Sequence, residues 1–501
     1  MQNQNSASSL FCFFVIYFIY YEKGLYNQLM EVMARLEKVE RESSHKISKL
    51  NIEIFDLKKE NQNLRKENQR LKDENARLKS IINNDSSNTS LPPSSDQKGE
   101  KPANTFNSRQ KTERKAGGQK GHKGTTLTKY DMEEKIKSGK CRHEIKNIGK
   151  ISGDSYITKY VLDLSVVPVI TEIHIYPDEK GHFSIPAEYR SDVTYGANVK
   201  SLAVALYSEG VMSNDRIAAF LNAASSDQLG LSEGSVYVLC KKFAGNAQMS
   251  INNLENELLN QTVVATDATT VTVNGKQNYI RNFSTKDTVV YNAMNSKTIE
   301  AFGQIPFLAA YNGILVHDHE TALYHYGIDN AECNVHILRY LRKNTEDTGN
   351  KWSGEMATLL CEMNQERKEL MRQGAKEFAD ETITGYERRY NSIILSGREE
   401  NKKTTHKYAK EDEVALLNRL EKYSQNHLLF LHNFEVMFDN NISERDLRKA
   451  KNRQKMAGGF RKDSGHEMYC SILTIIETLK RRGMGMMENI RKLFTGAPAI
   501  F

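Results

Sequence analysis

The sequence predicts an α/β protein in which a long helical front end precedes a mixed core. Three observations predict it. Leucines recur every seven residues from Leu50 to Leu78, helical spacing runs from Gly196 to Phe243, and the patterning switches to period two near residue 261. At 501 residues the chain exceeds what one hydrophobic core organises, so several domains are expected. Hydrophobic residues make up 39% and charged residues 27%, the balance of an ordinary globular protein. Cys12, Cys141, Cys240, Cys333, Cys361 and Cys470 are scattered with no CxxC pair, which argues against a disulfide scaffold and fits a reducing cytosol.

Residues 1–29 hold an apolar run from Leu10 to Tyr21. Its twelve residues fall short of the ~20 that span a bilayer, and it lacks the basic start and cleavage site of a secretory signal. No membrane anchor is therefore expected. Two readings stay open, an interfacial segment or sequence upstream of a start at Met30 or Met33, and the second is favoured because the helical pattern begins just after those methionines.

Residues 30–83 read as a coiled coil. With Leu50, Leu57, Leu64, Leu71 and Leu78 at d, the a positions are Ile47, Ile54, Asn61, Asn68, Asn75 and Ile82. Asparagines at a cost stability but pair across a two-stranded seam. Glu53, Glu60, Glu67 and Glu74 at g face Lys58, Arg65, Lys72 and Lys79 at e of a partner helix, so a parallel homodimer is expected. A helix packed on its own domain is the alternative, for which three seam asparagines are poor material.

Residues 84–130 form a tether. Polar residues and Pro92-Pro93 stop the helix, and from Lys98 to Lys123 eight Lys or Arg stand against two Glu. Clustered cations favour a polyanion, because neutralising phosphates releases counterions. Arg114, Lys115, Lys120 and Lys123, interleaved with glycines, are the DNA-contact candidates here, against the commoner role of a solvated loop.

Residues 131–195 alternate around Tyr156 to Leu164 and Ile170 to Tyr176, predicting a small strand-rich unit. Cys141 and His143 supply two of the four ligands a structural zinc needs. Residues 196–260 turn helical, with Ser232 capping a helix through Val236, Leu239 and Phe243. Three short helices suit a helix-turn-helix reader with that helix in the major groove, or a plain helical subdomain.

The core is expected over residues 261–455, followed by a helical segment at 456–501. Thr262 to Ala265 lead into Asp267; Asn274-Gly275 between β-branched runs marks a hairpin, and Val289 to Ala293 follow. Helix-like residues from Thr298 to Phe307 precede a short apolar strand, Gly313 to Val316, that ends at His317-Asp318. A three-strand meander, a helix and a strand ending in acid is the order of a ribonuclease-H-like fold. There two carboxylates on neighbouring strands serve phosphodiester chemistry with two hard cations. A single Asp closing a strand is ordinarily a turn former, so the pair carries the weight. A third acid comes later: Glu444 lies one helical turn from Asn441, a candidate cap with Asn440, and from Arg448, whose surface salt bridge is its bland alternative. The basic run Arg445, Arg448, Lys449, Lys451, Arg453 and Lys455, with Lys480 to Arg482 beyond it, offers phosphate contacts.

At these residues the chain resembles the large DDE transposase of the bacterial insertion sequence sixty-six family. The shared motifs are Asn88-Thr89-Ser90-Leu91-Pro92-Pro93-Ser94-Ser95-Asp96, Gly117-Gly118-Gln119-Lys120-Gly121-His122, Thr266-Asp267-Ala268-Thr269, Cys333-Asn334-Val335-His336 with Arg339, and Asn440 through Arg448. The resemblance implies Asp267, Asp318 and Glu444 as catalytic and metal-binding residues for two Mg²⁺ (or Mn²⁺) ions, and a helical insertion at about 350–435. It implies cleavage of element-end DNA and transfer of its 3′-ends to target DNA, with accessory element-encoded proteins as further partners, in the bacterial cytoplasm at the nucleoid. This sequence departs from the family pattern by keeping only Cys141 of the cysteine pairs that follow the tether, and by placing His319-Glu320 after the second acid, so that Asp318 and Glu320 compete for that role. Cys333 and His336 could bind zinc with His317 or His319, but at helical spacing such residues more often orient or pack the core. Two other functions fit the same residues: a regulatory DNA-binding dimer derived from a transposase, and a different ribonuclease-H-like nuclease.

Overall fold

A computed structural model describes residues 5–85, 88–89, 127–139, 141–146, 157–164, 166–186 and 189–497. Arg114, Lys115, Lys120 and Lys123 lie outside the described residues. The chain divides into two compact units, Met1–Asn83 with Thr404–Asp412, and Asn84–Lys403 with Glu413–Phe501.

The first unit is built on one helix, α1 (Asn5–Ile82). It starts well before Met30 and Met33, since residues 5–29 contain no proline and Gly24 costs a helix only about 1 kcal/mol. The d-position leucines from Leu50 to Leu78 are 43% to 59% exposed in the single chain, leaving the apolar seam uncovered. No helix among the described residues is long and apolar enough to cross a membrane.

The second unit opens with α2 (Lys129–Lys137), started by a capping box between Thr128 and Asp131. The expected strand-rich unit at 131–195 is corrected here: its described residues contain the rest of this helix and no strand. Alternation makes a strand only where a neighbour accepts its backbone hydrogen bonds, and 157–164 and 170–176 pair with nothing described. Four helices follow, α3 (Ala197–Ser208), α4 (Asn214–Ala224), α5 (Glu233–Asn246) and α6 (Gln248–Leu259). Ser232 caps α5 by accepting from the Ser235 N–H at 3.1 Å, as its position predicts.

The sheet has five strands in the order β3-β2-β1-β4-β5. β1 (Val263–Val273), β2 (Lys276–Ser284) and β3 (Val289–Met294) form the antiparallel meander, while β4 (Ile314–His317) and β5 (Asp329–Glu332) join parallel to β1. The hairpin turn forms at Asn274-Gly275, both at positive φ, the geometry Asn-Gly favours. Between meander and β4 lie two short helices, α7 (Ile299–Gly303) and α8 (Pro306–Ala310).

After β5 come α9 (Asn334–Thr348), α10 (Trp352–Arg372), α11 (Asp380–Lys403), α12 (Lys407–Lys422) and α13 (Ser424–His432). The chain returns through α14 (Asn441–Asp446) and α15 (Arg448–Ala457), and closes with α16 (Asp463–Arg481) and α17 (Met486–Phe494). Side-chain alternation sends the strands into two cores. Val264, Val271, Ile280, Phe283 and Leu315 pack with α3–α6, α16 and α17, whereas Ala265, Val316 and Ala331 pack with α9–α13.

Candidate active site

The register of two parallel strands sets the geometry. Ala265 on β1 and Val316 on β4 are register partners, both buried on the face covered by α9–α13. Asp267 and Asp318 each lie two residues further along, so the period of two returns both carboxylates to that face, side by side. Asp267 is held by its own strand: its Oδ1 accepts from the Ala268 N–H at 2.7 Å, and its N–H donates to Asn282 Oδ1 on β2 at 3.2 Å.

Glu444 arrives from α14, which is fastened to the sheet by side chains rather than capped. Asn440 donates Nδ2 to the Thr266 carbonyl at 2.9 Å, next to Asp267, and makes no side-chain cap. The expected capping by Asn440 is thus replaced by a tie to β1. Ser443 donates to Asn282 Oδ1 at 2.6 Å. Asp446, which shares the segment, is spent structurally: it accepts from Ser284 Oγ at 2.7 Å and pairs with Arg481.

The three acids perturb one another. Burial and then the Asp267 charge push Asp318 up to about 6, with Glu444 adding to the effect. Asp267 is raised by burial against the pull of the Ala268 N–H and of Arg281. Glu444 is raised by burial and by Asp267, against Arg339 and Lys451. Glu444 Oε1 is buried without a hydrogen-bond partner. The raised pKa values record the mutual repulsion of neighbouring buried carboxylates, one of which keeps an orphaned oxygen.

His336, on the first turn of α9, faces this cluster. Its Nε2 lies 3.3 Å from Asp318 Oδ2 and 3.8 Å from Glu444 Oε1, and Arg339 donates to the same nitrogen at 3.1 Å. Burial, Arg339 and Arg419 hold its pKa down to about 3, so the imidazole is neutral and its Nε2 accepts from Arg339. Cys333 sits one turn earlier, buried, with Sγ accepting from the Asn440 N–H at 3.2 Å.

Glu320, the rival for the second acid, is engaged elsewhere. It pairs with Arg281, which is fully buried and also donates to Thr266 Oγ1 at 2.9 Å, and with Lys297 at 3.5 Å. Asp318 is therefore the acid beside Asp267. His319 adopts φ 44, with Nδ1 2.7 Å from Glu332 Oε1. His317 contacts Asn330 at 3.2 Å and accepts from the Glu320 N–H, so neither histidine joins Cys333 and His336.

Glu332 is a buried residue the sequence did not single out. Tyr324 donates to it at 2.5 Å, Arg419 of α12 donates through Nη2 at 2.5 Å, and His427 Nε2 of α13 lies 3.3 Å away. Hydrogen bonds from His319 and His427 hold its carboxyl far below the usual range despite burial. β5 was invisible because Asp329-Asn330-Ala331-Glu332 has no apolar alternation, although the position of Glu332 directly before the Cys333-to-His336 motif was the available signal.

The basic candidates separate. Arg445, Arg448 and Lys451 are not buried. Lys449 pairs with both Glu209 and Glu477. Arg453 is 8% exposed, lies 4.2 Å over the Tyr207 ring and 5.4 Å from the Tyr469 ring, and donates to the Met212 carbonyl at 2.7 Å. These two cations hold α15 against α3 and α16 instead of facing solvent, because helical spacing turns part of any basic run inward. Lys480, Arg481 and Arg482 are likewise engaged, with Glu209, Asp446 and Glu257.

A family model described as Transposase IS66 family matches residues 194–468, from α3 to the start of α16. The chain belongs to this family. Membership makes it a DNA-transposing enzyme and DNA its partner. A second model, of a family of unknown function (DUF6444), matches residues 38–128 of the transposase, covering much of α1 and the tether. No curated protein and no solved structure matches the chain. The matched span of the transposase contains Asp267, Asp318, His336 and Glu444.

Proposed function

We propose that this transposase cleaves the ends of its mobile element and joins their 3′-ends to target DNA by phosphoryl transfer at Asp267, Asp318 and Glu444. The observation that carries the reading is the convergence of these three acids, each with its pKa raised and Glu444 Oε1 buried without a partner. The strand order β3-β2-β1-β4-β5, with three antiparallel strands and two parallel, supports a ribonuclease-H-like core.

Asp267, Asp318 and Glu444 fit a pair of Mg²⁺ or Mn²⁺ ions, since hard cations take carboxylate oxygens and the mutual repulsion of the three acids is relieved by positive charge between them. Two such ions, when bound, activate the attacking hydroxyl and stabilise the leaving oxygen of a phosphodiester. The protein's own part is positional. Asn282 and Asn440 set the distance between β1 and α14, His336 keeps a neutral imidazole against two of the acids, and Arg445, Arg448, Lys451 and Lys455 offer solvent-facing charge to the DNA backbone.

The uncovered leucine seam of α1 supports a parallel coiled-coil dimer, which would present two such sites to two element ends. The test is an element-end DNA duplex incubated with Mg²⁺ and a target plasmid. Cleavage and 3′-end joining are expected from the native chain, and Asp267→Asn loses both while retaining DNA binding. Cleavage that persists in Asp267→Asn overturns the site, and cleavage without joining assigns a nuclease instead.

A further inference from the structure

Cys333, His336 and Glu444 bring a sulfur, an imidazole nitrogen and a carboxylate oxygen within 4.8 Å of one another. Asp267 and Asp318 ask for a hard cation, but this neighbouring trio has the mixed character of a zinc site. Glu444 Oε1 is buried with nothing to bond, and the nitrogen 3.8 Å from it is the unprotonated Nε2 of the buried His336, which ligates once the Arg339 N–H is given up. The third already has the outer support that thiolate ligands use, a backbone N–H, from Asn440, donated to Sγ at 3.2 Å. The spacing is close to sufficient. Bonds of about 2.0–2.3 Å in a tetrahedron place ligand atoms roughly 3.3–3.8 Å apart, so side-chain rotation of about 1 Å closes the set. Arg339 and Arg419 oppose a cation here and Asp318 and Glu444 favour one, while burial and the Glu444 charge push the Cys333 thiol up, so that it becomes a thiolate only as a metal displaces its proton.

We propose that Cys333, His336 and Glu444 form an inhibitory site for Zn²⁺, which competes with the catalytic cations for Glu444. The thiol proton leaves to solvent as the metal binds, so occupation follows free Zn²⁺. The inhibitory consequence rests on the role assigned to Glu444 above, whereas the binding itself does not.

Co²⁺ titrated into the full chain reads binding directly. A thiolate-to-metal charge-transfer band is expected, absent from Cys333→Ser, weakened at least tenfold in apparent affinity by His336→Gln, and kept by Asp267→Asn. No band in the native chain, or a band that survives in folded Cys333→Ser, overturns the proposal. In the cleavage assay with Mg²⁺ in excess, Zn²⁺ should inhibit the native chain at concentrations about tenfold or more below those needed for Cys333→Ser. Equal inhibition of both overturns the inhibitory role. A native chain that binds Co²⁺ through Cys333 yet never cleaves DNA would fail the phosphoryl-transfer reading and leave the metal site standing.

Discussion

Asn282 and Ser443 exchange two hydrogen bonds across 161 positions of sequence: the Ser443 hydroxyl donates to Asn282 Oδ1 at 2.6 Å, and Asn282 Nδ2 donates to the Ser443 carbonyl at 3.0 Å. The same Oδ1 takes the Asp267 N–H. One amide on β2 thus ties the strand that carries Asp267 to the helix that carries Glu444. Asn282→Ala strands the buried Ser443 groups, at a cost of about 1–3 kcal/mol. Urea unfolding should show that loss, and DNA cleavage should fall by more than DNA binding. Equal losses in cleavage and binding would reduce Asn282 to a general stabiliser.

The crowding of acids predicts a mutation that stabilises while it inactivates. Asp318 titrates at about 6 in the folded chain against an ordinary 3.8, so the folded form holds its proton more tightly. Its stabilising contribution is full below the unfolded value and is lost as pH rises through about 6. Without metal at pH 7.5, Asp318→Asn should therefore gain up to roughly 3 kcal/mol. The gain shrinks below pH 6 and is gone near pH 4. Thermal melts across pH check this, and Mg²⁺ should raise the melting temperature of the native chain but not of the variant.

Glu332 behaves in the opposite sense. Its carboxyl is held low by His319, His427 and Arg419, so its contribution is present above the unfolded value of 4.5 and is lost only as pH falls toward the depressed folded one. Glu332→Gln leaves Arg419 without its buried counter-charge, which costs about 3–5 kcal/mol. A melting temperature within a degree or two of native at pH 7 would contradict this role for the buried carboxylate.

Basic residues of α15 should divide by orientation. Lys451→Ala and Arg448→Ala are expected to weaken DNA binding for all sequences and lower the slope of log affinity against log salt by about 0.9 for each phosphate that is no longer neutralised. Arg453→Ala removes a cation held over Tyr207 and Tyr469, so it should lower the melting temperature and leave the salt slope unchanged when binding is measured on the folded fraction.

The seam of α1 is tested by sedimentation. Leu64→Lys, in the middle of the d positions, should convert a dimer to a monomer at micromolar concentration, while Lys58→Glu alters stability more than stoichiometry. A native chain that sediments as a monomer would remove the coiled-coil reading.

Periodicity and turn chemistry act locally, so the sequence alone determined the long helix, the Asn274-Gly275 hairpin, the Ser232 cap and the placing of Asp267 within a strand. The motifs around Asp267, Cys333 and Glu444 carried the family resemblance. Only the tertiary structure placed Asp318 rather than Glu320 beside Asp267, because that depends on where Arg281 is buried, on a strand far from either acid in sequence. It also turned Lys449 and Arg453 inward, revealed β5 and Glu332, and withheld strands from 157–164 and 170–176. Each of these depends on partners brought from distant positions: a β-strand needs a neighbour, a buried charge needs its counter-charge, and a carboxylate acquires its role from what is packed beside it.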